Sequence, residues 1–308
     1  MVHAALGRSQ FEAKTLQAGG VYRVMTLLVT PSAPGGKPFA IFAFVHRLML
    51  LLTIGMLWAD SDSTRKTFSR RVFRKEVPFQ PGEKLVYRVH YGWLTAGEAV
   101  FEVYPRLYIV NGLVAYVFRG SGKTASAFEW FYKVRDYMDA YVDTAQMRSL
   151  LYYRYVNEGD FHFVDTVRFD YERLEIRGRK GVFSMVDGVM DMLGAFYYAR
   201  RLDIRSMPDG TVVPIPVFLD DKIYDLGMKI LGRETIKTEL GTFRCIKITP
   251  LVVADRVFRG REEMLMWVTD DESLIPVKIT SPVIVGSVSA TLTRYENLKY
   301  ALSARIGK

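Results

Sequence analysis

Apolar and polar residues alternate with a period of two over much of the chain. Leu85, Tyr87, Val89, Tyr91 and Trp93 interleave with Val86, Arg88, His90 and Gly92, a pattern that predicts a strand with one large apolar face. A turn is expected at Thr95 to Gly97, then an antiparallel partner in which Ala99, Phe101 and Val103 alternate with Val100, Glu102 and Tyr104. Asn111-Gly112 marks a tight hairpin between Tyr108–Val110 and Leu113–Arg119, because both turn residues tolerate positive φ.

Further along, Phe161, Phe163, Val167, Phe169 and Tyr171 share a face that Asp165 interrupts, and Glu172-Arg173 turns the chain into Leu174–Arg177. Shorter β segments are expected at Val213–Phe218, Phe243–Thr249, Glu263–Thr269, Val277–Thr280 and Val283–Leu292. One segment has the other period: Met190–Arg201 places Met192, Leu193, Phe196 and Tyr197 near one helical face, with basic residues at its C-terminal end. The fold class read from this is mainly β, a curved antiparallel sheet or open barrel-like domain with one short helix. Asp203–Gly210 is a turn-rich joint, but neither half holds its own complete set of strands. Residues 76–300 are therefore read as a single β-rich domain and 301–308 as a C-terminal tail.

The N-terminal quarter reads differently. Leu48–Trp58 is an uncharged apolar run preceded by Arg47 and followed by Ala59, of the length of a signal-peptide core and too short to span a bilayer. Residues 45–59 are expected to be a signal peptide or an uncleaved N-terminal anchor, since Leu57 fits poorly at the position three before cleavage. No Cys follows for lipid attachment. Residues 1–44, with a Pro and Gly cluster from Pro31 to Pro38, lack apolar periodicity and are expected to be a non-native or disordered extension, with Val45 as the true start. Residues 60–75 read as a basic linker.

Composition narrows the function classes. With 49% hydrophobic and 24% charged residues the chain is ordinary for a globular protein, and a 13% aromatic share suits strands. The net charge of +9 falls to +5 once the residues before position 60, five basic and one acidic, are set aside, and basic and acidic residues alternate elsewhere, so nucleic acid is not an expected partner. Cys245 is the only cysteine, which excludes intrachain disulfides and thiolate metal clusters.

The candidate chemistry is sparse. Gly120-Ser121-Gly122-Lys123-Thr124 imitates the end of a phosphate-binding loop, but Val117 stands where that motif needs Gly, and β-rich sequence follows. Asp136, Asp139 and Asp143 lack calcium-loop spacing and read as strand-end caps or ion-pair partners. His90 and His162 sit on the polar sides of predicted strands and build no metal site alone. No catalytic residue, metal site or cofactor is assigned. Tyr87, Tyr91, Trp93, Phe131, Tyr132, Tyr197 and Tyr198 could pack a core or line an apolar cavity; alternation is the same for a filled and a hollow sheet.

The segments FQPGEKLVYRVHYGWLTAGEAVFEV, WFYKVRD, YYRYVNEGDF, GAFYYARR, GTFRCIKITP, MWVTDDESLIPVKI and VGSVSATL, in this order, resemble the bacterial exported family catalogued as Domain of Unknown Function 3108, over roughly Phe79 to Tyr300. The most specific positions of the resemblance are Gly82, Glu83, Tyr87, Gly97, Asp136, Glu158, Tyr198, Arg200, Gly241, Pro276 and Gly286. It implies export to the periplasm or cell envelope and a β fold, and no chemistry. Glu83, Asp136, Glu158 and Arg200 are polar exceptions in that set, suited either to pinning the helix on the sheet or to lining a ligand site.

The function expected from all this is a noncatalytic envelope module that binds an amphipathic ligand, a lipid or envelope glycan, with the membrane met only through the N-terminal segment. Tyr87, Tyr91, Trp93, Phe131, Tyr132, Asp136, Glu158, Tyr198 and Arg200 are the candidate ligand-binding residues. The alternatives are an envelope scaffold or protein-interaction module, and a hydrolase using Asp136, Glu158 or His162.

Overall fold

A computed structural model describes residues 73–74, 76–130, 132–252, 264–282 and 286–307. The N-terminal extension, the signal-like segment and nearly all of the linker lie outside these residues, as does Phe131. The alternating segments form β1 (Lys84–Tyr91), β2 (Leu94–Val103), β3 (Tyr108–Val110), β4 (Leu113–Thr124), β5 (Arg135–Asp143) and β6 (Ser149–Glu158). They continue as β7 (Phe161–Asp170), β8 (Glu175–Gly178) and β9 (Gly181–Ser184), and the helix α1 (Met192–Arg201) follows. The remainder is β10 (Val212–Pro214), β11 (Val217–Leu219), β12 (Lys222–Tyr224), β13 (Leu226–Thr238) and β14 (Gly241–Val252). Then come β15 (Leu265–Thr269), β16 (Pro276–Pro282), β17 (Ser287–Glu296) and β18 (Arg305–Gly307).

One large antiparallel sheet runs in the order β10-β13-β14-β15-β16-β17-β1-β2-β4-β5-β6-β7-β8-β9, with β18 on β14 and β3 on β4, while β11 and β12 pair separately. The β1–β17 seam, Lys84 opposite Glu296 to Tyr91 opposite Val288, joins early and late parts of the chain into one surface. The terminal strands β10 and β9 do not pair, so the sheet is open.

Its curvature follows from what the helix touches. In a flat sheet β14 and β6 would lie about 38 Å apart, at ~4.8 Å per strand step. Yet α1, only about 15 Å long, reaches both. Its capping residue Asp191 bonds Ser149 at the start of β6, and its other flank faces Ile248 and Pro250 of β14 across a pocket. The sheet must curl round the helix. Bulges at Val86/Tyr87, Val89/His90, Tyr141/Val142 and Ile230/Gly232 supply local twist for that bend.

The helix is held at both ends. Asp191 Oδ1 accepts from the Gly194 N–H at 2.7 Å, and the Asp191 N–H donates to Ser149 Oγ at 2.9 Å. At the other end Arg200 Nη1 lies 2.5 Å from Glu83 Oε1, and Nη2 donates to Glu83 Oε2 at 3.1 Å and to the Ser273 carbonyl at 3.0 Å. Between these clamps Tyr197 stacks on Phe118 at 3.8 Å between ring centres, with Phe79 edge-on to both.

Several sequence readings need correction. The first hairpin turns at Gly92-Trp93, not at Thr95–Gly97, so Trp93 leaves the apolar face and stands 89% exposed. Gly97 lies inside β2, where a Cβ would meet the Lys123 carbonyl oxygen at 2.4 Å; close strand approach, not a turn, demands glycine. Of the three β5 aspartates Asp139 alone lies mid-strand, paired with Arg119, while Asp136 and Asp143 stand at the two ends, Asp143 accepting from the Ala145 N–H and meeting Arg148. Val213–Phe218 divides into β10 and β11, because Pro214 and Pro216 interrupt the ladder. Gly120–Thr124 is the end of β4, paired with β2 and β5, as its failed phosphate-loop spacing requires.

Candidate functional site

Between α1 and the curl of β13–β16 lies a pocket of about 120 Å³. Met192, Ala195, Phe196, Ala199 and Arg200 of the helix form one wall, and Ile215, Val217, Leu226, Gly227, Met228, Ile248, Pro250, Met266, Val268 and Pro276 most of the other. The helical period delivers the first set and strand alternation the second. Arg200 is the only charged residue among the described residues of the lining. The volume is close to that of a cavity that admits one benzene ring, ~150 Å³, and smaller than a typical ligand pocket, ~300 Å³ or more. It suits the end of a molecule, not the whole of one. Three methionines in the wall give it unbranched, adaptable side chains.

The candidate ligand-binding residues do not gather here. Of the eight that lie among the described residues, Arg200 alone lines the pocket. Tyr87 lies behind its wall, 1% exposed, its hydroxyl donating to the Pro276 carbonyl at 2.8 Å, with burial raising its pKa. Tyr198 faces away from the pocket toward Phe73, edge to face at 5.6 Å. Trp93 stands at the exposed hairpin tip, and Tyr91 is half-buried at the end of β1. The remaining members, Tyr132, Asp136 and Glu158, belong to a second place at the far end of β5 and β6. The physical reason is strand length: Asp136 and Glu158 sit at the ends of β5 and β6 opposite to those nearest the helix cap.

That second place is a buried polar cluster. Asp136 Oδ1 accepts the Asn157 N–H at 2.8 Å, while its Oδ2 is buried with no hydrogen-bond partner among the described residues. Arg154 sits beside it on β6, near Asp165 at 3.6 Å and Asp220 at 2.5 Å. Burial pushes Asp136 up to about 6 against the pull of the Asn157 N–H and of Arg154, and burial raises Asp165 as well. His162 pairs with Asn157 in register, on the face opposite to Asp136 and Glu158, and is exposed. Strand alternation thus separates His162 from Asp136 and Glu158, which stay on one face. Cys245 is 1% exposed and burial lifts its thiol to about 12, so it carries no thiolate at neutral pH.

The Asp136 geometry has a measurable consequence. A carboxyl whose folded pKa lies above its unfolded value near 3.8 holds its proton more tightly in the native state. Native stability therefore declines as pH rises from about 4 to about 6 and levels off above, by about 2–3 kcal/mol for this group. Asp191, raised to about 6 chiefly by burial, titrates in the same window. Urea unfolding across pH 4–7 should show that Asp136→Asn, which keeps an acceptor for the Asn157 N–H, removes its share of that slope. An unchanged slope would place Asp136 in a more polar setting than described.

The pocket residues other than Arg200 went unnoticed in the sequence as a site. They span positions 192 to 276, and each reads locally as ordinary core. Arg200 stood out in the sequence as one of the polar positions of the family resemblance.

The sequence model of a family described as Protein of unknown function (DUF3108) matches residues 86–293, which enclose every residue of the pocket lining. None of the curated proteins matches. Among solved structures, a β-barrel-like protein of domain of unknown function DUF1849 from Brucella abortus is similar over 72% of this chain and 100% of its own, at 7% identity and a TM-score of 0.47. A protein with a YmcC-like fold from Bacteroides fragilis is similar over 73% of this chain and 99% of its own, at 12% identity and a TM-score of 0.33.

Proposed function

From the premise that this chain belongs to the DUF3108 family of proteins of unknown function, we propose that it is an exported envelope protein that binds the apolar end of an amphipathic molecule, a lipid or acylated glycan. The observation that carries this reading is the apolar pocket between α1 and β13–β16. Among the described residues its walls carry no polar side chain except one paired arginine, so transfer of an apolar group out of water is the interaction it offers. Its small volume leaves the rest of such a molecule outside. Export is supported by Arg47 followed by the apolar run Leu48–Trp58. Among the described residues no helix is long and apolar enough to cross a membrane.

The test is to fill the pocket. Ala199 lines it, and Ala199→Phe adds a benzyl group to a space of about 120 Å³. The uncharged dye Nile red should bind the parent protein and bind the variant at least about tenfold more weakly, equivalent to ~1.4 kcal/mol. Equal binding by both proteins would remove the pocket from the function.

A further inference from the structure

Tryptophan is largely buried in most folded proteins. Of the three among the described residues Trp267 is 9% exposed, but Trp93 and Trp130 are 89% and 83% exposed. Both stand on one rim of the sheet. Trp93 is at the β1–β2 tip, Trp130 in the β4–β5 connection, and Phe161, 53% exposed, where β7 leaves the β6–β7 tip. Backbone bonds tie the three tips side by side: the Ala125 N–H donates to the Ala96 carbonyl at 2.9 Å, and the Gly159 N–H to the Lys133 carbonyl at 2.9 Å. Neighbouring tips are two strand steps apart, so they form a row spaced about 10 Å, each bearing one exposed aromatic ring.

We propose that this rim rests on the interfacial layer of a zwitterionic lipid bilayer, into which Trp93, Trp130 and Phe161 dip. Charge, polar satisfaction and spacing select that partner. Lys123 pairs with Glu98 at 2.9 Å, Arg135 pairs with Glu129, and Lys133 and Asp160 add one charge of each sign, so the rim has no net field to draw a polyanion or a charged protein patch. The Trp130 Nε1–H donates to the Ala127 carbonyl at 2.9 Å, so this indole enters an apolar layer without an orphaned donor. A protein hot spot packs its aromatic rings together in a desolvated centre. Rings on separate tips suit a fluid layer instead, which needs no matching pocket and in which tryptophan is the favoured interfacial residue. The contact is independent of the pocket reading and additional to any that the N-terminal segment makes.

The experiment uses the full-length protein carrying Trp58→Phe, so that the N-terminal apolar run contributes no tryptophan signal. Vesicles of phosphatidylcholine brominated on its acyl chains should lower the tryptophan emission by at least about a third relative to unbrominated phosphatidylcholine. Adding Trp93→Phe keeps an aromatic ring at the first tip and leaves Trp130 as the rim reporter. Trp93→Ser with Phe161→Ser removes two tips and should lower the quenching of Trp130 at least about twofold from that level. Ile109, 78% exposed on β3 beside the opposite end of β4, is the control: Ile109→Ser should leave quenching unchanged. Equal emission in the two lipids overturns the membrane contact, even where the N-terminal segment holds the protein on the vesicles. Quenching of Trp130 that survives loss of the other two tips, or that falls equally with Ile109→Ser, overturns its assignment to this rim.

Discussion

Arg200→Met should lower the free energy of unfolding by about 3–5 kcal/mol, because it strands the Glu83 carboxylate in the interior without its cation. Glu83 sits in the turn before β1, and Arg200 in the last turn of α1, so the pair ties the helix to the seam strand of the sheet. Loss of the guanidinium also frees the Ser273 carbonyl, in a corner where Asp271 accepts from the Thr269 hydroxyl at 2.8 Å and from the Ser273 N–H at 3.0 Å. The cost is largely that of the orphaned charge, not the net worth of the pair. The double variant Glu83→Leu with Arg200→Met should therefore recover most of the loss in urea unfolding. If the double variant is as unstable as Arg200→Met alone, packing around the guanidinium, which lies 5.6 Å from the Phe79 and Tyr197 ring centres, is what matters.

Phe118→Ala should cost a similar amount, about 3–5 kcal/mol. Phe118 is fully buried in β4 and carries the stack that seats the helix: Tyr197 lies parallel on it, and Phe79 meets it edge-on at 5.3 Å. Removing its ring leaves a hole bounded by two other aromatic rings, which have little freedom to collapse into it. Tyr197→Phe provides the contrast. The Tyr197 hydroxyl is buried without a hydrogen-bond partner among the described residues, so its removal should leave stability unchanged within ~0.5 kcal/mol or raise it. Thermal or urea unfolding of the two variants separates ring packing from hydroxyl burial. A large loss from Tyr197→Phe would mean that the hydroxyl is satisfied in solution.

The parts of the fold that could be read in advance are those governed by neighbours in sequence. The alternation at Leu85, Tyr87 and Val89 gives β1, Asn111-Gly112 gives the β3–β4 turn with positive φ at both residues, and the periodicity of Met192, Leu193, Phe196 and Tyr197 gives α1. Where a residue's neighbours came from elsewhere, local pattern misled. The β5 aspartates read as caps or ion-pair partners, but nothing nearby in sequence announces with whom: Arg119, whose guanidinium meets Asp139 across the β4–β5 register, and Asn157, whose N–H meets Asp136 across β5–β6. Trp93 continued the alternation of β1 on paper, but the chain had already turned at Gly92, where φ is +56°.

Among the polar residues, Glu83 and Arg200 could be singled out from sequence alone, and so could Asp136 and Glu158; their partners could not. The first two form one ion pair clamping the helix, while Asp136 and Glu158 belong to a separate cluster at the other end of their strands. Sequence by itself determined the period of many segments, the helix α1, the single cysteine and the mainly β class, because burial of one face imposes local periodicity. Only the tertiary structure decided that the curved sheet wraps round α1 and that a pocket of about 120 Å³ remains there. The physical reason is that a cavity is the difference between the volume enclosed by distant strands and the side chains that fill it, and alternation is the same whether that difference is zero or not.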